Sequence, residues 1–177
     1  MITITIADLI RVLDGKDNHL LDLCASIGCG LYVVREGDLI IYIGKSGRGI
    51  LDRMAGHLGK GSFGWGGLSI LGHFILENLP AALAWQVDLL TPKDALDKLE
   101  KLCNYRREVM GDGSSKLIVR EFLWPDGSGS RSVVREDNLD GIEDLLIEVS
   151  HPCLNIMGNK EPTPLPEQYQ QAIYGRS

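Results

Sequence analysis

Two short apolar runs joined by a tight turn constrain this chain more than any other feature. Residues 30–34 (GLYVV) and 39–43 (LIIYI) are rich in β-branched and aromatic side chains, and a glycine-containing turn lies between them. This pattern predicts a β-hairpin. The next residues, GKSGRG, break the second strand, and residues 50–58 have helical spacing, with Arg53 and His57 four apart. The sequence therefore predicts a hairpin that carries two tyrosines, followed by a helix that presents arginine and histidine on one face.

Short motifs from this unit and from the C-terminal third occur in a defined order. In chain order they are Gly30-Leu31-Tyr32, Tyr42-Ile43-Gly44, Arg53-x-x-x-His57, and Glu143 followed by Ile147, Pro152 and Asn155. In this order and combination they resemble the core of the GIY-YIG nuclease superfamily. The length of the chain and its single core resemble the restriction-type members of that superfamily.

Composition places the chain among ordinary one-domain globular proteins. It has 177 residues, of which 44% are apolar and 24% are charged, and a chain of this length can bury most of its apolar surface. No apolar run approaches the ~20 residues that span a bilayer, so no membrane partner is expected. The N-terminus has no basic region or cleavage-site pattern, and four cysteines are too few for a disulfide scaffold. A reducing cytoplasm is the expected location.

The net charge limits the kind of nucleic-acid binding that can be expected. The chain has 18 basic and 24 acidic residues, which gives a formal charge of −6. Proteins that coat nucleic acid without sequence preference are usually basic. Basic residues nevertheless cluster after the hairpin and again within residues 91–137. The composition therefore leaves room for a local basic groove and does not support non-specific coating.

Further helices and strands are predicted around the hairpin. The predicted helices are 6–13, 20–26, 50–58, 92–109 and 138–149, and the further predicted strands are 84–90, 116–124 and 131–136. Residues 69–78 fit either a helix or a strand, because periodicity alone does not decide an apolar run of this length. The predicted fold class is α/β (α+β), with a small three-stranded, mainly antiparallel sheet flanked by helices. The resemblance implies that this is a GIY-YIG-type sheet.

These elements predict a single domain with an insertion. The core comprises about 28–90 and about 138–158, and a helix and a β-hairpin at about 91–137 are inserted between the two parts. Compact members of the superfamily have a shorter gap at this point. Three prolines predict an extended tail at about 160–177.

Phosphodiester hydrolysis needs an activated water, neutralised phosphate charge and a protonated leaving group. The resemblance implies that Tyr32 activates or positions the water, with Tyr42 assisting. Tyrosine has an ordinary pKa near ~10, so a role as a base needs nearby positive charge. Lys45, Arg53 and a bound metal are the expected sources of that charge. Arg53 can grip two phosphate oxygens, and His57 can orient Tyr42 or relay a proton.

Glu143 is the expected ligand of one divalent cation, Mg²⁺ or Mn²⁺. Mg²⁺ is typically held by one or two carboxylates together with water and phosphate oxygens, so a single glutamate suffices. On the predicted helix Glu143 shares a stripe with Leu139 and Ile147, whereas Glu148 lies on the solvent face. The motif spacing of the superfamily selects the same residue.

Other residues are expected to support the site or to contact the substrate. The backbone around the site is expected to be supported by Gly30, Gly44 and Asn155. Asn155 is expected to do so through side-chain hydrogen bonds. The expected substrate contacts are Lys45, Arg48, Arg106, Arg107, Arg120 and Arg131. Four of these six lie in the insertion, which is therefore the expected recognition element.

The sequence thus predicts a metal-dependent endonuclease whose partner is nucleic acid, with double-stranded DNA as the expected substrate. Two alternatives stay open. One is a catalytically inactive nucleic-acid-binding module of the same fold, which the acidic charge favours. The other is a toxin-like or antiviral nuclease that acts on RNA or on phage DNA. A homodimer also stays open.

Overall fold

The computed structural model describes residues 1–60, 69–156 and 158–169. In this part of the chain, seven helices (one of them a 3-10 turn, Ala81–Ala84) and two antiparallel sheets form a mixed α/β structure. The α-helices are α1 (Ile6–Leu13), α2 (Asn18–Ala25), α3 (Ile50–His57), α4 (Ile70–Glu77), α5 (Pro92–Cys103) and α6 (Leu139–Ser150). The strands are β1 (Ile2–Thr5), β2 (Gly30–Glu36), β3 (Leu39–Ser46), β4 (Gln86–Leu90), β5 (Arg106–Val109), β6 (Ser115–Leu123) and β7 (Gly129–Arg135). None of the described helices has both the length and the apolar character needed to cross a membrane.

The larger sheet has four strands in the order β1-β4-β2-β3, and every pair is antiparallel. Strands β2 and β3 are the predicted hairpin, and β4 is the predicted third strand. The predicted number of three strands is wrong, because Ile2–Thr5 pairs with β4 as a fourth strand. Its alternating isoleucines and threonines suit a strand, but so short a run becomes a strand only when a distant partner pairs with it.

The smaller sheet lies in the insertion and has the order β5-β6-β7. The insertion contains the predicted helix and hairpin, but the predicted extension of the helix to residue 109 is wrong, because Arg106–Val109 forms a third strand instead. Helix α5 ends at Cys103, and Asn104 adopts a left-handed conformation with a φ of 52°. Asparagine tolerates this conformation better than most residues, and it therefore ends the helix. Residues Arg106–Val109 are thereby freed to pair with β6.

Helices cover both faces of the larger sheet, which therefore has two hydrophobic cores. On one face, α1, α3 and α4 pack against a core that contains Tyr32 and Val34. On the other face, α5 and α6 pack against a core that contains Leu31 and Val33. Adjacent residues of β2 alternate between the two cores because successive side chains of a strand point to opposite faces.

Strand β3 forms one edge of the larger sheet, and the segment that follows α6 runs along it. The N–H groups of Cys153 and Leu154 donate hydrogen bonds to carbonyls of β3. The Asn155 side chain accepts from the N–H of Ile43 at 2.9 Å and donates to the carbonyl of Ile43 at 2.8 Å. This segment therefore satisfies backbone groups along the open edge of β3.

Polar caps fix where the two helices that frame the candidate site begin. Asn138 precedes α6, and its side chain accepts a hydrogen bond from the N–H of Gly141. Ser69 precedes α4, and its side chain accepts from the N–H of Gly72. Both contacts satisfy an N–H group that has no partner inside the helix. The residues left open by periodicity, 69–78, are therefore mostly helical.

The described part of the C-terminal tail lies against the domain. Residues 162–166 have no regular secondary structure, as expected for an extended segment. Tyr169 is nevertheless buried, with its ring edge-on to Phe74 and to Trp85. Its hydroxyl donates to the carboxylate of Glu36. The described part of the tail is therefore anchored to the core through Tyr169.

Candidate active site

Three aromatic rings from β2, β3 and α3 form the centre of the candidate active site. The ring centroids of Tyr32 and Tyr42 are 6.1 Å apart, and the His57 ring lies edge-on to both, at 5.6 and 5.8 Å. Tyr32 is fully buried, and His57 is only 3% exposed. The Tyr32 hydroxyl lies 2.5 Å from Nε2 of His57, within hydrogen-bond distance. The hairpin and the helix after it thus bring the two tyrosines and the histidine into contact.

Two glycines make room for this arrangement. A Cβ atom at Gly44 would lie 2.3 Å from the Tyr32 hydroxyl oxygen, and one at Gly30 would lie 2.1 Å from the carbonyl oxygen of Leu90. Either contact is far inside van der Waals distance, so any side chain would displace the Tyr32 ring or β4. The predicted supporting role of both glycines therefore has a steric basis.

His57 also contacts Ser69, which is not among the predicted site residues. Nδ1 of His57 lies 2.5 Å from Oγ of Ser69, and this oxygen accepts from the N–H of Gly72 at 3.1 Å. If Tyr32 donates to Nε2, Nδ1 carries the ring hydrogen and donates to the second lone pair of Ser69. A serine before an apolar helical run is recognisable as a helix cap. No local signal, however, indicates its contact with His57.

Burial sets the protonation states of this cluster. Burial and the neighbouring Tyr42 raise the pKa of the Tyr32 hydroxyl, while the Arg53 guanidinium, which interacts with the same hydroxyl, opposes the rise. Burial likewise raises the pKa of Tyr42. Burial and the charge of Arg53 lower the pKa of His57 to about 4. At neutral pH both tyrosines are therefore protonated and His57 is neutral, so Tyr32 is the donor and His57 the acceptor. The expected lowering of the tyrosine pKa by nearby cations is outweighed by burial.

Arg53 and Glu143 act on both tyrosine hydroxyls with opposite charges. Arg53 lowers the pKa of Tyr32 and of Tyr42, and Glu143 raises both. A charge shifts the pKa of a hydroxyl in this way only when it lies close to that hydroxyl, so Arg53 and Glu143 both lie near the two tyrosines. The Glu143 side chain is 16% exposed, whereas Glu148 lies on the exposed flank of α6. The structure thus brings the five residues predicted to be catalytic into one neighbourhood.

Lys45, a predicted phosphate contact, forms ion pairs with two carboxylates of α6. Its Nζ lies 2.6 Å from Oε2 of Glu143, and it also binds Oδ1 of Asp140. Burial lowers the pKa of Lys45, but the hydrogen bonds to Asp140 and Glu143 raise it overall. Asp140 is not among the predicted site residues, although its position three residues before Glu143 puts both on one side of a helix.

The chemistry of these donors fits a hard divalent cation. Asp140 and Glu143 direct carboxylate oxygens at one cationic group, the Lys45 ammonium. Carboxylate oxygens are the ligands that Mg²⁺ and Mn²⁺ prefer. Within the described residues, no three His, Cys, Asp or Glu side chains are grouped to hold a metal ion. Mg²⁺ does not need such a group, because water and substrate phosphate complete its coordination. Glu143, with Asp140, is therefore a suitable holder for such an ion.

The remaining predicted substrate contacts lie in other parts of the structure. Arg48 lines a cavity of about 500 Å³ between α1, α2 and α3. Arg106 and Arg107 each pair with two carboxylates of the insertion, and Arg131 does the same. Arg120 is exposed on β6. Their contacts with nucleic acid stay predictions.

The site is thus defined by its own geometry and by the sequence motifs that it contains. Neither a scan of protein-family models nor searches of curated proteins and of solved structures find a match to this chain.

Proposed function

We propose that this protein is a metal-dependent endonuclease of the GIY-YIG type that hydrolyses phosphodiester bonds in double-stranded DNA. The observation that carries the proposal is the proximity of two tyrosines, a neutral histidine, an arginine and a carboxylate drawn from β2, β3, α3 and α6. Core packing explains a single buried tyrosine. Perturbed ionisable groups of several kinds at one place are typical of a catalytic site.

Tyr32 and His57 form the proton-transfer pair in this proposal. The Tyr32 hydroxyl is protonated at neutral pH, so it can take a proton from water only as it passes its own proton to Nε2 of His57. His57 can accept that proton because its pKa, lowered to about 4, keeps the ring neutral. Ser69 accepts a hydrogen bond from Nδ1–H of His57 and so favours the tautomer whose Nε2 can accept a proton from Tyr32. Tyr42 packs on both rings and keeps them in place.

Arg53 and Lys45 supply positive charge for the phosphate. The Arg53 guanidinium can bind two phosphate oxygens at once, which fixes the orientation of the scissile group. Glu143 and Asp140 hold the Lys45 ammonium by ion pairs, and its charge acts on the Tyr42 hydroxyl. A divalent ion held by Glu143, with Asp140, would supply Lewis-acid stabilisation of the phosphate charge when bound.

Cleavage assays test this proposal directly. The purified protein is incubated with supercoiled plasmid, linear duplex DNA and RNA, each with Mg²⁺, with Mn²⁺ and with a chelator. We expect DNA cleavage that depends on the metal. Cleavage of RNA alone would contradict the proposal in favour of an RNA-directed nuclease. DNA binding without cleavage under every condition would instead favour the inactive binding module, which the net charge of −6 also favours.

Glu143→Gln is expected to separate cleavage from binding. The amide keeps the shape of the side chain but removes the negative charge. Loss of one electrostatic contact in a transition state typically lowers the rate ~10²–10³-fold. The affinity for duplex should stay equal or rise, because a negative charge near phosphates is gone.

The matched control for this variant is Glu148→Gln, which changes the same residue type on the exposed flank of the same helix. Nicking rates and duplex affinity are measured in parallel for both variants. Glu148→Gln should cleave like the unmodified protein. Cleavage that survives in Glu143→Gln but is lost in Glu148→Gln would assign the role to the other carboxylate.

A further inference from the structure

The insertion sheet ends in a two-stranded ribbon. Strand β5 pairs with only the first part of β6, from Ser115 to Ile118. Strands β6 and β7 continue to pair as far as Leu123 and Gly129. Residues 119–132, which we call the ribbon, therefore extend beyond β5 as two strands and a turn.

One face of the insertion sheet is a network of ion pairs. Glu108 binds Arg106, Lys116 and Arg131, and Glu121 binds Arg106 and Arg131. Glu121 and Arg131 lie directly opposite each other across the β6–β7 ladder. Each of the three cations on this face already has a carboxylate partner, so a phosphate must displace a carboxylate to pair with any of them.

The opposite face of the ribbon differs because its arginine, Arg120, has no carboxylate within ion-pair distance among the described residues. Arg120 and Phe122 lie opposite Ser132 and Ser130 across the ladder, and these four residues line one surface cavity together with Glu121. The other arginines of the insertion, namely Arg106, Arg107, Arg131 and Arg135, each have a carboxylate within 4.0 Å. Among the residues that the structure describes, Arg120 forms no such ion pair. This face therefore combines an exposed guanidinium, which need not leave a carboxylate partner to bind a phosphate, with two hydroxyl groups.

Exposed aromatic side chains stand at the end of the ribbon. The rings of Phe122 and Trp124 meet edge to face, with centroids 4.5 Å apart. The two residues are nevertheless 51% and 55% exposed, and the neighbouring Leu123 is 69% exposed. A cluster of large exposed apolar side chains beside polar groups is typical of an interaction surface.

We infer that the ribbon face formed by Arg120, Phe122, Trp124, Ser130 and Ser132 is a docking surface for double-stranded nucleic acid. A two-stranded ribbon has the size that the major groove of a duplex admits. Arginine and serine donors suit phosphate oxygens, which receive most protein–DNA hydrogen bonds. The apolar tip suits contacts with base edges such as the thymine methyl group. The inference rests on the proposed function, because the ribbon would be a second binding surface for the duplex that the candidate active site cleaves.

The fold connects this face to the candidate active site through α6. That helix carries Glu143 and contacts both β3, which holds Tyr42, and β7, which forms one strand of the ribbon. Leu145 and Glu148 of α6 also line one surface cavity together with Arg120 and Ser132 of the ribbon, so the helix that carries the candidate metal ligand borders the ribbon face. In the inferred complex, cleavage at the candidate active site and binding by the ribbon involve neighbouring parts of one duplex.

Binding measured without cleavage tests the inference. Fluorescence anisotropy of a labelled duplex is followed in a chelator, at several salt concentrations, for the unmodified protein and three variants. Arg120→Ala should weaken binding about tenfold and reduce the slope of log affinity against log salt by about one, as expected for a lost phosphate contact. Trp124→Ala should weaken binding about tenfold with an unchanged salt slope, because an uncharged interface anchor is lost.

Arg135→Ala is the matched control, because it removes an exposed arginine of β7 that lies outside the ribbon and already pairs with Asp137. Its affinity should change less than about twofold. All three residues are exposed, so circular dichroism should show that the variants stay folded.

Three results would overturn the inference. The first is equal affinity of the unmodified protein, Arg120→Ala and Trp124→Ala, and the second is no duplex binding by the unmodified protein. The third is a dimer that Trp124→Ala dissociates without a change in duplex affinity, which would assign the ribbon to a second copy of the chain. Because the assay contains no metal, each result is independent of the cleavage assays that decide the proposed function.

Discussion

The two sheets of this protein place polar side chains in opposite surroundings. In the larger sheet, Tyr32 and Asn155 are buried, and each makes hydrogen bonds that water cannot replace. In the insertion sheet, Arg106 and Arg131 keep about half of their side-chain surface exposed and pair across strands. A buried polar group that loses its partner is costly, whereas water screens an exposed ion pair to ~0–1 kcal/mol. Substitutions should therefore have large effects in the larger sheet and small effects in the insertion.

The largest effect on stability is expected for Asn155→Ala. The change removes both side-chain bonds to Ile43 and leaves a buried N–H and a buried carbonyl without these partners. We expect the free energy of unfolding to fall by roughly 2–4 kcal/mol in urea denaturation. Asn159→Ala, which removes a single bond to the carbonyl of Pro152, should lose only about 1 kcal/mol. Equal losses in the two variants would contradict the importance of the paired contact.

Gly44→Ala tests the steric basis of the tyrosine cluster. The new Cβ would lie 2.3 Å from the Tyr32 hydroxyl oxygen, so the ring must move away from His57. Such overpacking should lower the free energy of unfolding by ~1–3 kcal/mol. Gly47→Ala, at a position where a Cβ meets nothing within 4 Å, should change it by less than about 0.5 kcal/mol. Thermal unfolding of the two variants decides the point, and a stable Gly44→Ala would break the proposed packing.

The pH dependence of stability should reveal the buried histidine. The folded state lowers the pKa of His57 from 6.5 to about 4, so below pH 6.5 the unfolded chain binds a proton that the folded chain does not. The stability that neutral His57 provides is therefore present above pH 6.5 and is lost as the pH falls towards 4. Between pH 7 and pH 5 the unmodified protein should lose roughly 2 kcal/mol more than His57→Gln. Parallel pH profiles for the two proteins would contradict the shift.

The smallest effect is expected in the insertion sheet. Arg131→Ala removes ion pairs to Glu108 and Glu121 from a side chain that is 49% exposed. The free energy of unfolding should fall by less than about 1 kcal/mol, because exposed ion pairs are screened by water and salt. The same urea denaturation measures it. If Arg131→Ala lowered the free energy of unfolding as much as Asn155→Ala, the expected difference between the buried and the exposed polar contacts of the two sheets would be wrong.

Local signals were enough to predict most of the elements, whereas long-range pairing was not. The hairpin β2–β3 and helix α1 have clear apolar patterns and turns, and the structure contains both. Strands β1 and β5 have four residues each and pair with partners distant in sequence or beyond a turn. Asn104 could have marked the end of α5, but asparagine also occurs within helices.

The residues of the candidate site divide in the same way. The motif residues, such as Tyr32 and Glu143, could be selected from order and spacing. Ser69 and Asp140 could not be selected from order and spacing. Their roles depend on contacts with His57 and Lys45, which the fold brings from distant parts of the chain. The direction of the Tyr32 pKa shift could not be predicted from the sequence either, because burial raises this pKa and nearby cations lower it. Only the structure shows that burial is the larger effect.

The segment that runs along β3 also has a consequence for the behaviour of the protein in concentrated solution. An unpaired strand edge is a template on which another molecule can add a strand, and this is a common route to aggregation. Residues 153–155 occupy the hydrogen-bonding groups of β3 beside Tyr42, so no foreign strand can pair there. The contact that supports the tyrosine cluster thus also protects this edge of the larger sheet from the addition of a foreign strand.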